Sequence, residues 1–283
     1  MTELESLFRT AGATGFLHAV DVDTGAEVAH QADEPVVMAS VFKVALLVEF
    51  FRQVDRGRLD AAERVTVMAD RHTPGPTGVS VMADDVTLSL RDLAYLMMAV
   101  SDNTAADTLI GRVGLPEVNV MLASFGLDGT WVEHDCREMF STIVEDTGQR
   151  DMPTDPAVIA GLRVLDPART NRSTPRDMTR LLGMIWRDEV ASAASCASMR
   201  RFLGLQVWPH RLAAGFPYDD VAVSGKTGTL PTIRNEVGVV EYPDGGRYAV
   251  AVFTRSYGTA QNQPRVDAVI GTAARAAVER LRG

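Results

Sequence analysis

Ser40 and Lys43 stand three residues apart in the apolar run "ASVFKVALL", Ala39 to Leu47. On a helix, residues at that spacing are neighbours, with Cβ atoms roughly 5–6 Å apart. A serine hydroxyl becomes a nucleophile when a base removes its proton, and a lysine whose charged form is disfavoured by burial can be that base. Ser101-Asp102-Asn103, inside "SDNTAAD", supplies a hydroxyl that can relay a proton and an amide that can hold both an ammonium and a carbonyl. "SGKTGTL", Ser224 to Leu230, puts Lys226, Thr227, Gly228 and Thr229 on a predicted strand whose glycines mark close approach to the backbone. Such an edge can dock a peptide-like substrate, and the N–H of Thr229 can share an oxyanion hole with that of Ser40. "GKT" is not a phosphate loop, because no G-x-x-x-x-G leads into the lysine.

The two lysines are the only ones in the chain, although Lys+Arg totals 28. Arginine cannot lose its proton in a protein, whereas a lysine can be tuned to act as a base. The positions that escape the arginine bias are therefore candidates for titrating chemistry. Taken singly, each motif has a plainer reading: a capping serine with a snorkelling lysine, an N-cap at Ser101 or Asp102, and a bulged strand with a solvent-facing lysine.

Positioning these residues requires elements that the pattern supplies. "TGFLHAVDVDTGAEVAHQAD" reads as two short strands around a turn, and "VVMASVFKVALLVEFFRQVDRG" as one buried helix ending at Gly57. "LSLRDLAYLMMAVSDNTAADTLIGRVG" gives two helices broken near Ser101–Thr104, and "LPEVNVMLASFG" another. Periodicity weakens from Trp131 to Asn171, where one short helix is expected at "PAVIAGLRVL". Helices at "STPRDMTRLLGMIWRDEV" and "ASCASMRRFLGLQ" precede three strands, "VAVSGKTGTL", "NEVGVVEY" and "RYAVAVFTR", and "RVDAVIGTAARAAVERLR" closes the chain as a helix. The expected fold is α/β in the α+β sense, an antiparallel sheet flanked by helices with a helical lobe. A single unit over 1–283 is expected. Its sheet lobe is 1–37 with 216–283, its helical lobe 38–215, and an irregular region covers 131–171.

A net charge of −9 argues against nucleic acid and anionic membrane surfaces as partners. No run spans a bilayer, and "MTELESLFRTAG" lacks the basic and apolar regions of a signal peptide. The expected location is cytoplasmic as written, or secreted if the chain is a processed or truncated form. Cys136 and Cys196 read as free thiols, and no Cys/His cluster suggests a metal, so no cofactor is expected. The five histidines are scattered without ligand spacing. A monomer is expected.

S-x-x-K, S-D-N and K-T-G in this order are together specific, and the sequence resembles class A β-lactamases and penicillin-binding proteins over nearly its whole length. "TLSLRDLAYLMMAVSDNTAAD", "STPRDM" and "IRNEVGVVEYPDGGRYAVAVFTR" carry the resemblance outside the motifs. The resemblance implies a serine hydrolase acting on a β-lactam or a D-alanyl peptide through a Ser40 acyl-enzyme. Lys43 would be the base candidate, and Ser101 would protonate the leaving nitrogen. Asn103 would position the substrate amide, while Lys226, Thr227, Gly228 and Thr229 bind the carboxylate and shape the oxyanion hole. Arg234 is implied as the substrate-carboxylate arginine.

The pattern breaks in one place. The family's omega loop carries a glutamate that activates the deacylating water. The comparable stretch here, "TWVEHDCREMF", puts Cys136 at that position and Phe140 at the family's asparagine. Glu138, Glu133, Glu145 and Asp146 are the nearby acids that could replace it, and "STIVEDTGQRDMPTDPAVIAGLRVL" is additional to the family's loop. A slow-deacylating peptidase, an esterase or amidase on a cytoplasmic metabolite, and an acylable binding protein without turnover stand as alternatives.

Overall fold

The computed structural model describes residues 2–283. Its centre is a five-stranded antiparallel sheet in the order β2-β1-β9-β8-β7. The strands are β1 (Ala13–Asp21), β2 (Glu27–His30), and, late in the chain, β7 (Ala222–Leu230), β8 (Ile233–Glu241) and β9 (Arg247–Ser256). β1 pairs with β9 from Ala13↔Ser256 to Asp21↔Tyr248, so the first strand closes onto the last, as expected. Short two-stranded ribbons join β3 (Val36–Val37) to β6 (Arg172–Ser173) and β4 (Arg64–Val67) to β5 (Val86–Ser89).

Two helices cover one face of the sheet, α1 (Glu3–Ala11) and α10 (Pro264–Arg282). Their core includes Leu4, Phe8, Leu17, Val250, Val252 and Ile270. Gly15 makes the α1 contact possible, because a Cβ there would lie 2.1 Å from the Phe8 ring. The other face, with Val237, Val239, Ala251 and Phe253, packs on α8 (Pro175–Trp186) and on the helical lobe. That lobe comprises α2 (Lys43–Asp55), α3 (Leu90–Ala99), α4 (Asn103–Val113), α5 (Leu115–Ser124), α6 (Cys136–Thr147), α7 (Pro156–Ala160) and α9 (Ala193–Gly204). Among the described residues no helix is long and apolar enough to cross a membrane.

Two expectations are corrected. The helix expected from Val36 begins only at Lys43. Val36 and Val37 pair with Ser173 and Arg172, and the Met38 N–H donates to Asn171 O. Ala39 then takes a left-handed φ of +48°, and Ala39–Phe42 form a 3-10 turn. The second correction is α6, a twelve-residue helix in the stretch read as irregular. Asp135 accepts from the Glu138 N–H while the Glu138 carboxylate accepts from the Asp135 N–H. That reciprocal cap starts the helix, and Cys136, Met139 and Ile143 bury one stripe of it.

Candidate active site

Ser40 is half-buried on the 3-10 turn, immediately after the strained Ala39. Its N–H is a first-turn donor that meets no acceptor among the described residues. Lys43, one turn further on, is fully buried. Its Nζ donates to Ser101 O at 2.7 Å and Asn103 Oδ1 at 2.8 Å, with longer contacts to Ser101 Oγ and Asp102 O at 3.4 Å. Burial lowers the Lys43 pKa, against the pull of the Asp107 and Asp102 carboxylates. No hydrogen bond joins Lys43 to Ser40 Oγ among the described residues.

Ser101 occupies the gap between α3 and α4 with φ +61°, again a left-handed non-glycine. Asp102 holds the gap open. Its Oδ1 accepts from Ala105 N–H and Ser80 Oγ, and its Oδ2 from Val79 N–H at 2.6 Å. The Asn103 amide is fixed at both ends, donating to Pro74 O and accepting from Lys43. So the plainer reading of Asp102 as a cap is correct, and the cap is what aims its two neighbours.

Lys226 is also fully buried, and its Nζ donates to Ser101 Oγ at 2.9 Å and Thr227 O at 2.8 Å. Two buried lysines thus meet at one hydroxyl. Burial, reinforced by repulsion from Lys43, pushes the Lys226 pKa well down. The Thr227 N–H donates outward to Gln206 Oε1 at 2.7 Å, so both polar backbone groups of Thr227 face the free edge of β7. Strand alternation gives Thr229 the same outward direction. Gly228 lets β7 lie against the Ser40 turn, since a Cβ there would stand 2.5 Å from Met38 O.

These residues line one cleft of about 340 Å³, with Ser40, Ser101, Asn103, Thr227 and Thr229 on its walls. Arg211, Trp208, His210 and Phe140 line it too, with Pro76 and Val100. Arg211 was not legible as a site residue. It donates to Thr229 Oγ1 at 2.9 Å and to the carbonyls of Gly228 and Asn235, with Asp267 as its ion-pair partner. Arg234, expected to be the carboxylate-binding arginine, lies elsewhere. Its guanidinium donates to Leu230 O, Ile233 O and Gln261 O, and it borders a neighbouring cleft. It is spent on the β7–β8 turn, and Arg211 takes the place beside Thr229.

None of the acids offered as a second base reaches the cleft. Glu138 caps α6, Glu133 accepts from Trp131 Nε1, and Glu145 and Asp146 pair with Arg163. Cys136 is buried at the start of α6, and burial pushes its thiol pKa up, which keeps it protonated. Its N–H and that of Arg137 donate to Asp107, a carboxyl that burial also raises. Among the described residues the cleft lining contains no carboxylate.

The model of the β-lactamase enzyme family matches residues 1–281. The chain belongs to that family. A β-lactamase regulatory protein, BlaB of Streptomyces cacaoi, is 33% identical over all of this chain and 97% of its own length. A β-lactamase of Streptomyces albus G is 27% identical, covering 98% of this chain and 83% of that protein. The crystal structure of a β-lactamase from Sphaerobacter thermophilus superposes with a TM-score of 0.78 at 27% identity, over 96% of this chain and 95% of that one. The central antiparallel sheet with its flanking helices is that of the class A enzymes, and a small-molecule β-lactam is the substrate class the family implies.

Proposed function

We propose that the protein is a serine hydrolase of β-lactam amides that acylates readily at Ser40 and deacylates slowly. The observation that carries this reading is the meeting of two buried lysines at Ser101 Oγ, with the Ser40 turn alongside and no acid in the cleft. A neutral Lys43 amine keeps its two short bonds with two N–H groups and still holds a lone pair for the Ser40 proton. Ser40 Oγ attacks the lactam carbonyl, and the outward N–H groups of Ser40 and Thr229 suit the oxyanion. Ser101 hands a proton to the lactam nitrogen as the C–N bond breaks and takes one back from Lys226 or Lys43. Arg211, Thr227, Thr229 and Lys226 supply donors and positive charge for the substrate carboxylate. Release of the acyl group needs a base for water, and a protonated Cys136 thiol is not one.

A second reading is an acylated sensor without turnover. The same carboxylate-free cleft favours it, together with a 33% identical relative named as a regulatory protein. Intact mass after mixing with a penicillin, followed over time beside Ser40→Ala, separates the outcomes. A wild-type adduct that decays over minutes to hours with product formed supports the slow hydrolase. An adduct that never decays supports the sensor. No adduct, or rapid turnover without one, refutes both.

A further inference from the structure

Glu236 is a buried carboxylate that the acylation steps leave unused. It projects from β8 on the face opposite Lys226, where Gly225 leaves room for it: a Cβ on Gly225 would stand 3.0 Å from Glu236 Oε1. Oε1 accepts from Gln206 Nε2 at 2.6 Å, and Oε2 accepts from Leu212 N–H at 2.7 Å. These are the two ends of the segment after α9, and that segment carries Trp208, His210 and Arg211 into the cleft wall. The Gln206 amide, oriented by Glu236, occupies the outward N–H of Thr227 with its oxygen. Arg211, one residue before Leu212, is delivered to Thr229 Oγ1.

We propose that Glu236 is a positioning residue that clips both ends of the 206–212 segment to the sheet and thereby holds the cleft wall that grips the substrate carboxylate. The substrate in this statement rests on the function proposed above; the clip itself does not. As a carboxylate Glu236 satisfies two donors with two acceptor oxygens. Once protonated it gains a donor of its own, and one of those bonds is weakened. Burial raises its pKa to about 7, opposed by the Leu212 N–H, Arg211, Gln206 and Lys226. The other titratable groups of this wall are His210 on the segment, which faces Asp267 of α10 at 4.0 Å, and Asp267 itself, which pairs with Arg211. With the carboxyl still buried, those two bonds favour its ionised form, so the clip tightens as pH rises through neutrality, even though burying that charge costs the fold as a whole.

Two measurements test this, on the full chain. The first is the rate of penicillin acylation by intact mass against penicillin concentration, from pH 6 to 8.5, for wild type and Glu236→Gln. The variant should raise the half-saturating concentration about tenfold and keep the limiting acylation rate within twofold. In wild type that concentration should rise as pH falls below 7, and in the variant it should be flat. A loss confined to the limiting rate, or a pH dependence that persists in the variant, overturns the proposal. The second is substrate-free hydrogen exchange over 206–212, corrected for intrinsic rates. Exchange should quicken below pH 7 in wild type; a flat profile overturns the clip even if the variant fails to fold. A wild type that takes no penicillin would sink the proposed function while leaving the exchange result to judge the clip.

Discussion

Cys136→Glu should turn a persistent acyl-enzyme into one that turns over. Cys136 is 1% exposed and opens α6 with its N–H on Asp107, and its thiol lies within the field of Lys43 when that amine is protonated. A glutamate here sets a proton acceptor beside Lys43, which carries charge once it has taken the Ser40 proton and then favours the ionised carboxyl. General-base assistance is worth about 10²–10⁴ in rate, or about 3–5 kcal/mol of barrier. Two costs oppose the gain. Overpacking a tight site costs about 1–3 kcal/mol of stability, which a domain stable by about 5–15 kcal/mol can survive. The new carboxylate also raises the Lys43 pKa, so acylation slows by about tenfold for each pH unit by which it rises. The assay is adduct lifetime by intact mass, with product measured in parallel and Cys136→Ser as the neutral control. Lifetime should shorten at least a hundredfold in the glutamate variant and stay unchanged in the serine variant. A folded, acylated Cys136→Glu whose adduct lasts as long as wild type would refute the reasoning, as would a wild-type adduct gone within seconds.

Arg211→Ala should raise the half-saturating penicillin concentration by about 10–100-fold, the loss of one charge-assisted contact worth about 1.5–3 kcal/mol. Arg234→Ala should instead act on stability, because its guanidinium ties two carbonyls of the β7–β8 turn to Gln261 O in the β9–α10 connection and borders a different cleft; thermal unfolding alongside acylation kinetics separates the two arginines. Asn171→Ala should cost about 2–4 kcal/mol in urea unfolding. Its side chain is buried, accepts from Glu133 and His134 N–H, and donates to His134 O. For Glu236 the linkage has a definite sign. A folded carboxyl at about 7 binds more protons than the unfolded one at 4.5, so stability falls as pH rises from 4.5 to 7. Glu236→Gln should flatten that part of the stability-pH curve.

The three motifs were legible because their chemistry demands rare residue types: the only two lysines of the chain converge on Ser101. The sheet was legible from short, largely apolar strands separated by turn residues, with "PDGG" between the last two. The Ser40 turn was not, because Ala39 carries no sign of its left-handed backbone, which is imposed from across the fold: Asn171 O accepts from the Met38 N–H, and Asn235 Nδ2 donates to the carbonyls of Val37 and Met38. α6 did carry a signal. Asp135 and Glu138 stand at capping-box spacing before Cys136, Met139 and Ile143, but Glu138 drew a chemical reading in place of a structural one. Arg211 offered nothing local, being one arginine among many on an irregular segment. Its role exists only through Thr229 and Asp267, contacts made across the fold.

Every residue that lines the cleft lies at or before Thr229. The strand that sits at the sheet's middle, β9, is encoded after all of them, and its partner β1 is encoded before all of them. Contacts of such long sequence separation make folding slow, since loop closure must precede the pairing that rewards it. During synthesis β1 has only the short β2 to pair with until the ribosome has made β9, and α1 waits with it for α10. A nascent chain ending after β7 would hold the complete chemistry and no frame to align it. The nucleophile therefore becomes competent only once β9 has been made, so chains that stop before it are not targets for acylation.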